Sequence, residues 1–255
     1  MEKYRDIFNK NGYVVIKNFF SEEEASKIEE YANELERWEE QKYKWMIFFE
    51  NNEEKIKSRL ENFIYYHDDL KKFITTRVKD AVDDIYNKKM VLFKDKLNWK
   101  YGGGKGFKAH QDHPAWTDFE PDRYMTVALF ANKTTIDNGC LEFGYRNSKI
   151  TSLCKYNNNG QGELDSKVEQ ELNWKLEETT PRDLLFFDSF VPHRSDINKT
   201  DSSRRIFYLT YNEEKFGNLY DEYLIKKRTW FPPNIERKHG VNMNGNKYNL
   251  ANPIV

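Results

Sequence analysis

From about residue 90 to residue 211 the chain is a succession of short apolar runs, at 90–99, 126–130, 184–190 and 205–211, broken by glycine-rich and Asn-Gly turns. Turns at that frequency favour an antiparallel sandwich over alternating βαβ units, since antiparallel strands join without long crossovers. The run Leu184-Leu185-Phe186-Phe187-Asp188-Ser189-Phe190 has the length and aromatic character of a buried strand. Upstream the pattern changes: residues 13–16 read as a strand, and Ser21 with Glu24 forms an S-x-x-E capping box for a helix with Ala25, Ile28, Ala32 and Leu35 on one face. Leu70, Phe73, Ile74, Ala81, Val82 and Ile85 repeat at helical spacing and predict a second long helix, of the kind that buttresses a sheet. The expected fold is mainly β with flanking α-helices, a double-stranded β-helix (jelly roll, cupin-like).

A chain of 255 residues fits one domain, 1–255, with a helical buttress over about 1–90, a jelly-roll core over about 91–215 and a C-terminal segment over 216–255. Residues 157–162, Asn-Asn-Asn-Gly-Gln-Gly, read as a polar surface insertion. Lysine plus arginine (41) nearly balance aspartate plus glutamate (42), so no global field recruits nucleic acid or a membrane, and the expected partner is a small molecule. No apolar run reaches the roughly 18–20 residues of a spanning helix, and the start Met1-Glu2-Lys3-Tyr4-Arg5 lacks a signal-peptide core. Cys140 and Cys154 lack C-x-x-C spacing, so reduced thiols and a cytoplasmic location are expected, with Cys140 packed in a strand.

Chemistry concentrates in His110-Gln111-Asp112, His193 and Arg204. Residues i and i+2 of an extended segment project to one side, so His110 and Asp112 can reach one ion while Gln111 points away. His193, just past the 184–190 strand, supplies a third ligand. Two imidazoles and one carboxylate on one face of an octahedral ion leave the other face open, the pattern of non-haem Fe(II) oxygenases. Arg204, eleven positions beyond His193, opens another strand and offers a guanidinium fork for a carboxylate, with Ser195 as a hydroxyl donor beside it. Gly102-Gly103-Gly104 lacks the following Lys-Ser/Thr of a phosphate loop and reads as a tight turn bringing backbone close to the metal pocket.

With these motifs in this order, the chain resembles the phytanoyl-CoA dioxygenase family of Fe(II)/2-oxoglutarate oxygenases, from about Phe8 to the C-terminal segment. The resemblance implies that His110, Asp112 and His193 hold iron and that Arg204 binds the far carboxylate of 2-oxoglutarate, with a matching serine at Ser195; Lys96 is a further candidate for a co-substrate contact. Dioxygen is the remaining reactant. A carboxylate at Asp112 favours hydroxylation over halogenation. Within the family the chain is most similar to the branch that hydroxylates aminoalkylphosphonates. Four stretches carry that likeness: Arg59-Leu60-Glu61-Asn62-Phe63, residues 92–98 (Leu-Phe-Lys-Asp-Lys-Leu-Asn), residues 110–116 and residues 227–240.

That branch implies a small zwitterionic substrate such as 2-aminoethylphosphonate, hydroxylated at the carbon next to phosphorus. Asn98, Trp116 and Arg194 are the expected substrate contacts, with Lys96 a further anion contact. Trp45, Tyr65 and Trp230 are candidates for an aromatic surface around the amine, weighed against an ordinary packing role. His113 and His67 read as structural histidines, and His239 lies in the last matched stretch without an assigned role. Two other readings fit the same residues: the same chemistry on a compatible solute or natural-product intermediate, and a non-catalytic metal-binding jelly roll.

Overall fold

The computed structural model describes residues 1–51, 54–146, 149–157 and 162–237. In chain order the elements are α1 (Glu2–Asn11), β1 (Tyr13–Ile16), α2 (Glu22–Glu36), β2 (Met46–Asn51), β3 (Ile56–Glu61), α3 (Asp68–Phe73) and α4 (Lys79–Tyr86). There follow β4 (Met90–Lys100), β5 (Phe107–His110), β6 (Met125–Phe130), β7 (Leu141–Tyr145), α5 (Ser166–Glu171) and β8 (Asn173–Glu177). The last are β9 (Leu184–Asp188), β10 (His193–Ser195), β11 (Arg204–Glu213) and α6 (Tyr220–Trp230). A seven-stranded sheet runs β1-β9-β6-β11-β4-β3-β2 and a four-stranded sheet β5-β10-β7-β8, with every pairing antiparallel. This is the expected jelly roll.

Strand alternation divides the interior into two cores. Val127 and Leu129 of β6, Phe207 and Leu209 of β11, and Leu97 and Trp99 of β4 point to the helices and join Ile28, Leu35, Ile74 and Ile85. Their neighbours Ala128, Phe130, Ile206 and Tyr208 point the other way and meet Leu141 and Phe143 of β7, so the second core lies between the sheets. Beyond the register shift opposite Thr210 and Tyr211, the even-numbered positions of β4 from Lys94 on and of β11 up to Tyr208 therefore face away from the helices, toward the small sheet that carries the metal motif.

The region before residue 90 differs from the expected helical buttress. β1 pairs with β9, and the β2–β3 hairpin pairs with β4, so three strands of that region extend the large sheet. Helix α1 was not predicted either; its mean polarity hides a single fully buried anchor, Phe8. The capping box forms as read: the Ser21 hydroxyl accepts from Glu24 N–H at 3.1 Å, and Glu24 accepts from Ser21 N–H at 2.9 Å. The second long helix is α3 and α4 joined by a π-helical turn, Ile74–Val78, which inserts one residue into the 3.6 period. The buried face becomes Leu70, Ile74, Val78, Ala81, Val82 and Ile85, with Phe73 only partly buried. Most of the 157–162 insertion and His239 lie outside the described residues.

The glycine run docks away from the metal motif, contrary to expectation. Gly103 N–H bonds Asn198 O at 2.8 Å, and a side chain on Gly102 would meet Thr200 O at 2.6 Å, so the turn rests on the β10–β11 connection. Gly139 is the glycine that the site depends on. Its φ of +72° is left-handed, a Cβ there would lie 2.3 Å from Asp196 O, and its carbonyl accepts from Arg204 Nη1 at 2.5 Å. Gly139→Ala is expected to destabilise the protein by about 1–3 kcal/mol, read by urea unfolding. An unchanged midpoint would remove this constraint.

Candidate metal centre and active site

His110 ends β5 and His193 begins β10, and the two are direct cross-strand partners in the small sheet, with ring centroids 4.2 Å apart. Asp112 is not on the strand, as the i and i+2 argument assumed. It leads into a short 3-10 turn, His113–Trp116, with φ −74° and ψ −31°. The turn brings Asp112 Oδ1 to 3.9 Å from Nε2 of both histidines. His110 Nδ1 bonds Lys108 O at 2.7 Å and His193 Nδ1 bonds Val191 O at 3.0 Å. A carbonyl only accepts, so each Nδ1 carries the proton and each Nε2 turns a lone pair inward.

Burial, then the proximity of His193, takes the His110 pKa from 6.5 down to about 3, and burial lowers His193 also. Burial opposes the charge of Asp112, but His193 and Lys96 hold it below the usual carboxylate range. Two lone pairs and a carboxylate with no proton among them, within 4.8 Å of one another, fit a divalent cation. Gln111 points away as expected, and its role is structural. Its amide donates to Ser152 O and Phe190 O and accepts from Cys154 N–H and Tyr156 OH, fastening the 152–156 segment to the backbone between the two ligands. His113 stacks on Phe190 with centroids 4.3 Å apart.

Arg204 is 1% exposed. One guanidinium nitrogen bonds Gly139 O and Tyr208 lies alongside, while Nε is buried without a partner. Its cross-strand partner is Lys100, whose ammonium donates to Ser195 Oγ at 2.8 Å and Asp196 O at 2.5 Å. Burial and the adjacent Arg204 push the Lys100 pKa down to about 6. A buried guanidinium, a lysine whose protonation a bound anion would restore, and a hydroxyl side by side, with an orphaned N–H, fit a carboxylate. Lys100 was missed by sequence reasoning, although it continues the alternation Lys94, Lys96, Asn98 along β4.

The cavity has about 700 Å³ of empty space, part of it open to solvent, and is lined by the metal residues and by Arg59, Lys94, Lys96, Asn98, Trp116 and Tyr208, among others. Lys96 lies with Nζ 4.6 Å from the Tyr208 ring centre, and Asn98 Oδ1 is buried without a partner. Arg194 also borders the space, but its guanidinium is bound by Glu142 and Glu169, each at 2.6 Å, and stacked on Trp174. Trp45, Tyr65 and Trp230 do not line the cavity: Trp45 packs on Trp38, Tyr65 OH donates to Asp221, and Trp230 is 59% exposed. His67 pairs with Glu34.

Sequence reasoning also missed a charged cluster at the outer wall. Glu61, fully buried, lies 3.4 Å from Arg59, 3.9 Å from Lys94 and 3.7 Å from Lys227, and accepts from Tyr223 OH at 2.9 Å. Burial opposes its ionisation, but Lys227, Lys94 and Arg59 overcome that and hold its pKa far below the usual range.

The family model for phytanoyl-CoA dioxygenase matches residues 8–206. The chain is 38% identical over 250 residues to a 2-aminoethylphosphonate dioxygenase of an uncultured bacterium, covering 96% of this chain and 94% of that one. It is 32% identical over 228 residues to the methylphosphonate hydroxylase of Gimesia maris, covering 89% and 86%. The fold is similar to that of EctD from S. alaskensis solved with bound Fe, at TM-score 0.69, 17% identity, and 84% and 77% coverage. The epimerase SnoN, solved with Fe3+ and alpha ketoglutarate, superposes at TM-score 0.69 and 14% identity over 100% and 93% of the chains.

The inward lone pairs carry a stability signature. The unfolded chain takes up a proton at His110 near pH 6.5 and the folded chain only near 3, so this contribution is complete above 6.5 and is lost as pH falls from there. In metal-free protein, His110→Gln is expected to flatten the decline in urea-unfolding free energy between pH 7 and 5. Parallel curves for the two proteins would refute it.

Proposed function

Because this chain belongs to the phytanoyl-CoA dioxygenase family, we propose that it is an Fe(II)- and 2-oxoglutarate-dependent hydroxylase of a small aminoalkylphosphonate, such as 2-aminoethylphosphonate, acting at the carbon next to phosphorus. The observation that carries the reading is one cavity bordered by two inward Nε2 atoms and Asp112, with Arg204, its Nε unpartnered, adjoining Tyr208 of the cavity lining. Bound together, iron, 2-oxoglutarate and dioxygen supply oxidative decarboxylation to succinate and carbon dioxide, with one oxygen atom delivered to a C–H bond.

The protein's part is placement. His110, Asp112 and His193 would hold the iron, their orientation fixed by the Lys108 and Val191 carbonyls and by the Gln111 anchor. Arg204 takes the far carboxylate of 2-oxoglutarate, and Lys100 and Ser195 stand with it in the place first given to Lys96. Phe107, Leu141 and Phe187 exclude water, and Trp116 with Asn98 walls the substrate side. The chain works as one catalytic unit, since β3 and α6 contribute Arg59 and Tyr223 to the cavity that β5 and β10 equip with the metal ligands. No helix among the described residues is long and apolar enough to cross a membrane. A cytoplasmic setting accords with the unpaired Cys140 and Cys154.

The test is succinate release by iron-loaded protein with 2-oxoglutarate and oxygen, with 2-aminoethylphosphonate, its N-trimethyl form, methylphosphonate, ectoine or no addition. Stimulation by a phosphonate is expected, with background turnover in Asp112→Ala. Arg204→Lys is expected to raise KM for 2-oxoglutarate about ten- to hundred-fold, because a point charge replaces a fork. Stimulation by ectoine alone would overturn the substrate, and absence of turnover in the wild type would overturn the reaction.

A further inference from the structure

The cavity has cations in its own lining, apart from the adjoining Arg204 and Lys100 pair assigned to the co-substrate. Across the large sheet, Glu61, Lys96 and Tyr208 form one cross-strand row, and Arg59, Asn98 and Ile206 form the next, so these side chains share the inward face. Arg59, Lys94, Lys96 and Tyr223 line the cavity, while Glu61 stands behind them with Lys227. Glu61 is one carboxylate shared among Arg59, Lys94 and Lys227, and at 3.9 Å the Lys94 ammonium lies beyond direct hydrogen-bond reach of it. Lys96, among the described residues, has no carboxylate within 4.0 Å and rests against the Tyr208 ring.

Lys94 thus has only a distant share of one carboxylate and Lys96 has none within 4.0 Å, and in keeping with this, burial and the neighbouring Lys94 push the Lys96 pKa down to about 7 and burial lowers that of Lys94. An anion in the cavity would supply the missing counter-charge. Glu61 lies within 4.0 Å of Arg59, Lys94 and Lys227 and is not itself part of the cavity lining.

Resting on the phosphonate reading above, we propose that Lys94 and Lys96, with Arg59 beside them, form the subsite for a doubly charged phosphonate head group. Glu61 is the fixed counter-charge that positions these cations. The subsite selects a dianion over a singly charged tetrahedral group on the same carbon skeleton, because each ammonium gains a full opposite charge only when the head group carries two. The specificity of the reaction thus resides in the phosphorus end of the substrate, read by β3 and β4 rather than by the aromatic residues expected to meet the amine.

The experiment is calorimetric titration, without oxygen, of protein loaded with iron and 2-oxoglutarate, using 2-aminoethylphosphonate and its monoanionic isostere 2-aminoethanesulfonate. The wild type is expected to bind the phosphonate at least about ten-fold more tightly, the value of one charge-assisted hydrogen bond. Lys96→Met and Lys94→Met should each weaken phosphonate binding by about ten- to hundred-fold and narrow the preference over sulfonate, while Lys96→Arg keeps the preference. Thermal melting checks that each variant is folded, and Lys96→Gln or Lys94→Gln replaces the corresponding Met variant if it is not. Equal wild-type affinity for the two ligands, or Met variants that bind phosphonate as the wild type does, would overturn this inference and leave the hydroxylase reading standing. A wild type that binds neither ligand but turns over another substrate would overturn the phosphonate reading itself.

Discussion

The direct pairing of His110 with His193 across β5 and β10 is the contact on which the site depends. It joins residues far apart in sequence through a ladder of a few residues in the small sheet, and that ladder stands only because β7 pairs on the other side of β10 and packs Leu141 and Phe143 against the large sheet. Each histidine is then locked by a carbonyl two residues before it in sequence. The fold therefore sets the separation of the imidazoles, and local backbone sets their tautomer. Asp112 needs neither device, since the turn after β5 delivers it to both rings.

Strand β4 divides the molecule's work by parity. Its odd positions Phe93, Leu97 and Trp99 pack into the helix-side core, and Asp95 accepts the backbone N–H groups of Asn62, Phe63 and Ile64, fixing the end of β3. Its even positions Lys94, Lys96 and Asn98 line the cavity, and Lys100 reaches Ser195 of that lining. A one-residue slip would turn the charged face into the helix core, so the charges themselves enforce the register that the apolar residues select.

Much of this was legible from the sequence wherever local chemistry decides the outcome. The Ser21 cap, the β4, β6, β9 and β11 strands and the H-x-D motif each follow from residues adjacent in the chain. What escaped notice depends on contacts across the fold. The β2–β3 hairpin has no clear period-two pattern, since Met46, Ile47 and Phe48 are all buried, and the π turn at Ile74–Val78, with Ile74 and Val78 buried in the helix-side core, breaks the 3.6 period without any local sequence signal. Lys100 and the Glu61 cluster are polar residues in apolar strands, which a search for hydrophobic pattern discards. Their meaning appears only when antiparallel register puts Lys100 against Arg204 and Glu61 against Lys96.

The inner wall of the large sheet thus carries Arg59, Lys94, Lys96, Lys100 and Arg204 against Glu61 and the Asp112 of the metal motif. Desolvating cations without counter-ions costs free energy, and here the cost is moderated by neutral acceptors: Ser195 and the Asp196 carbonyl for Lys100, the Gly139 carbonyl for Arg204 and the Tyr208 ring for Lys96. Neutral acceptors hold a cation in place without cancelling its charge. A wall built this way is folded but electrostatically incomplete. Under the proposed function its completion is the binding event: one anion at Arg204 and Lys100 and a second at Lys94 and Lys96, with the His110, Asp112 and His193 set in the same cavity lining as the latter pair.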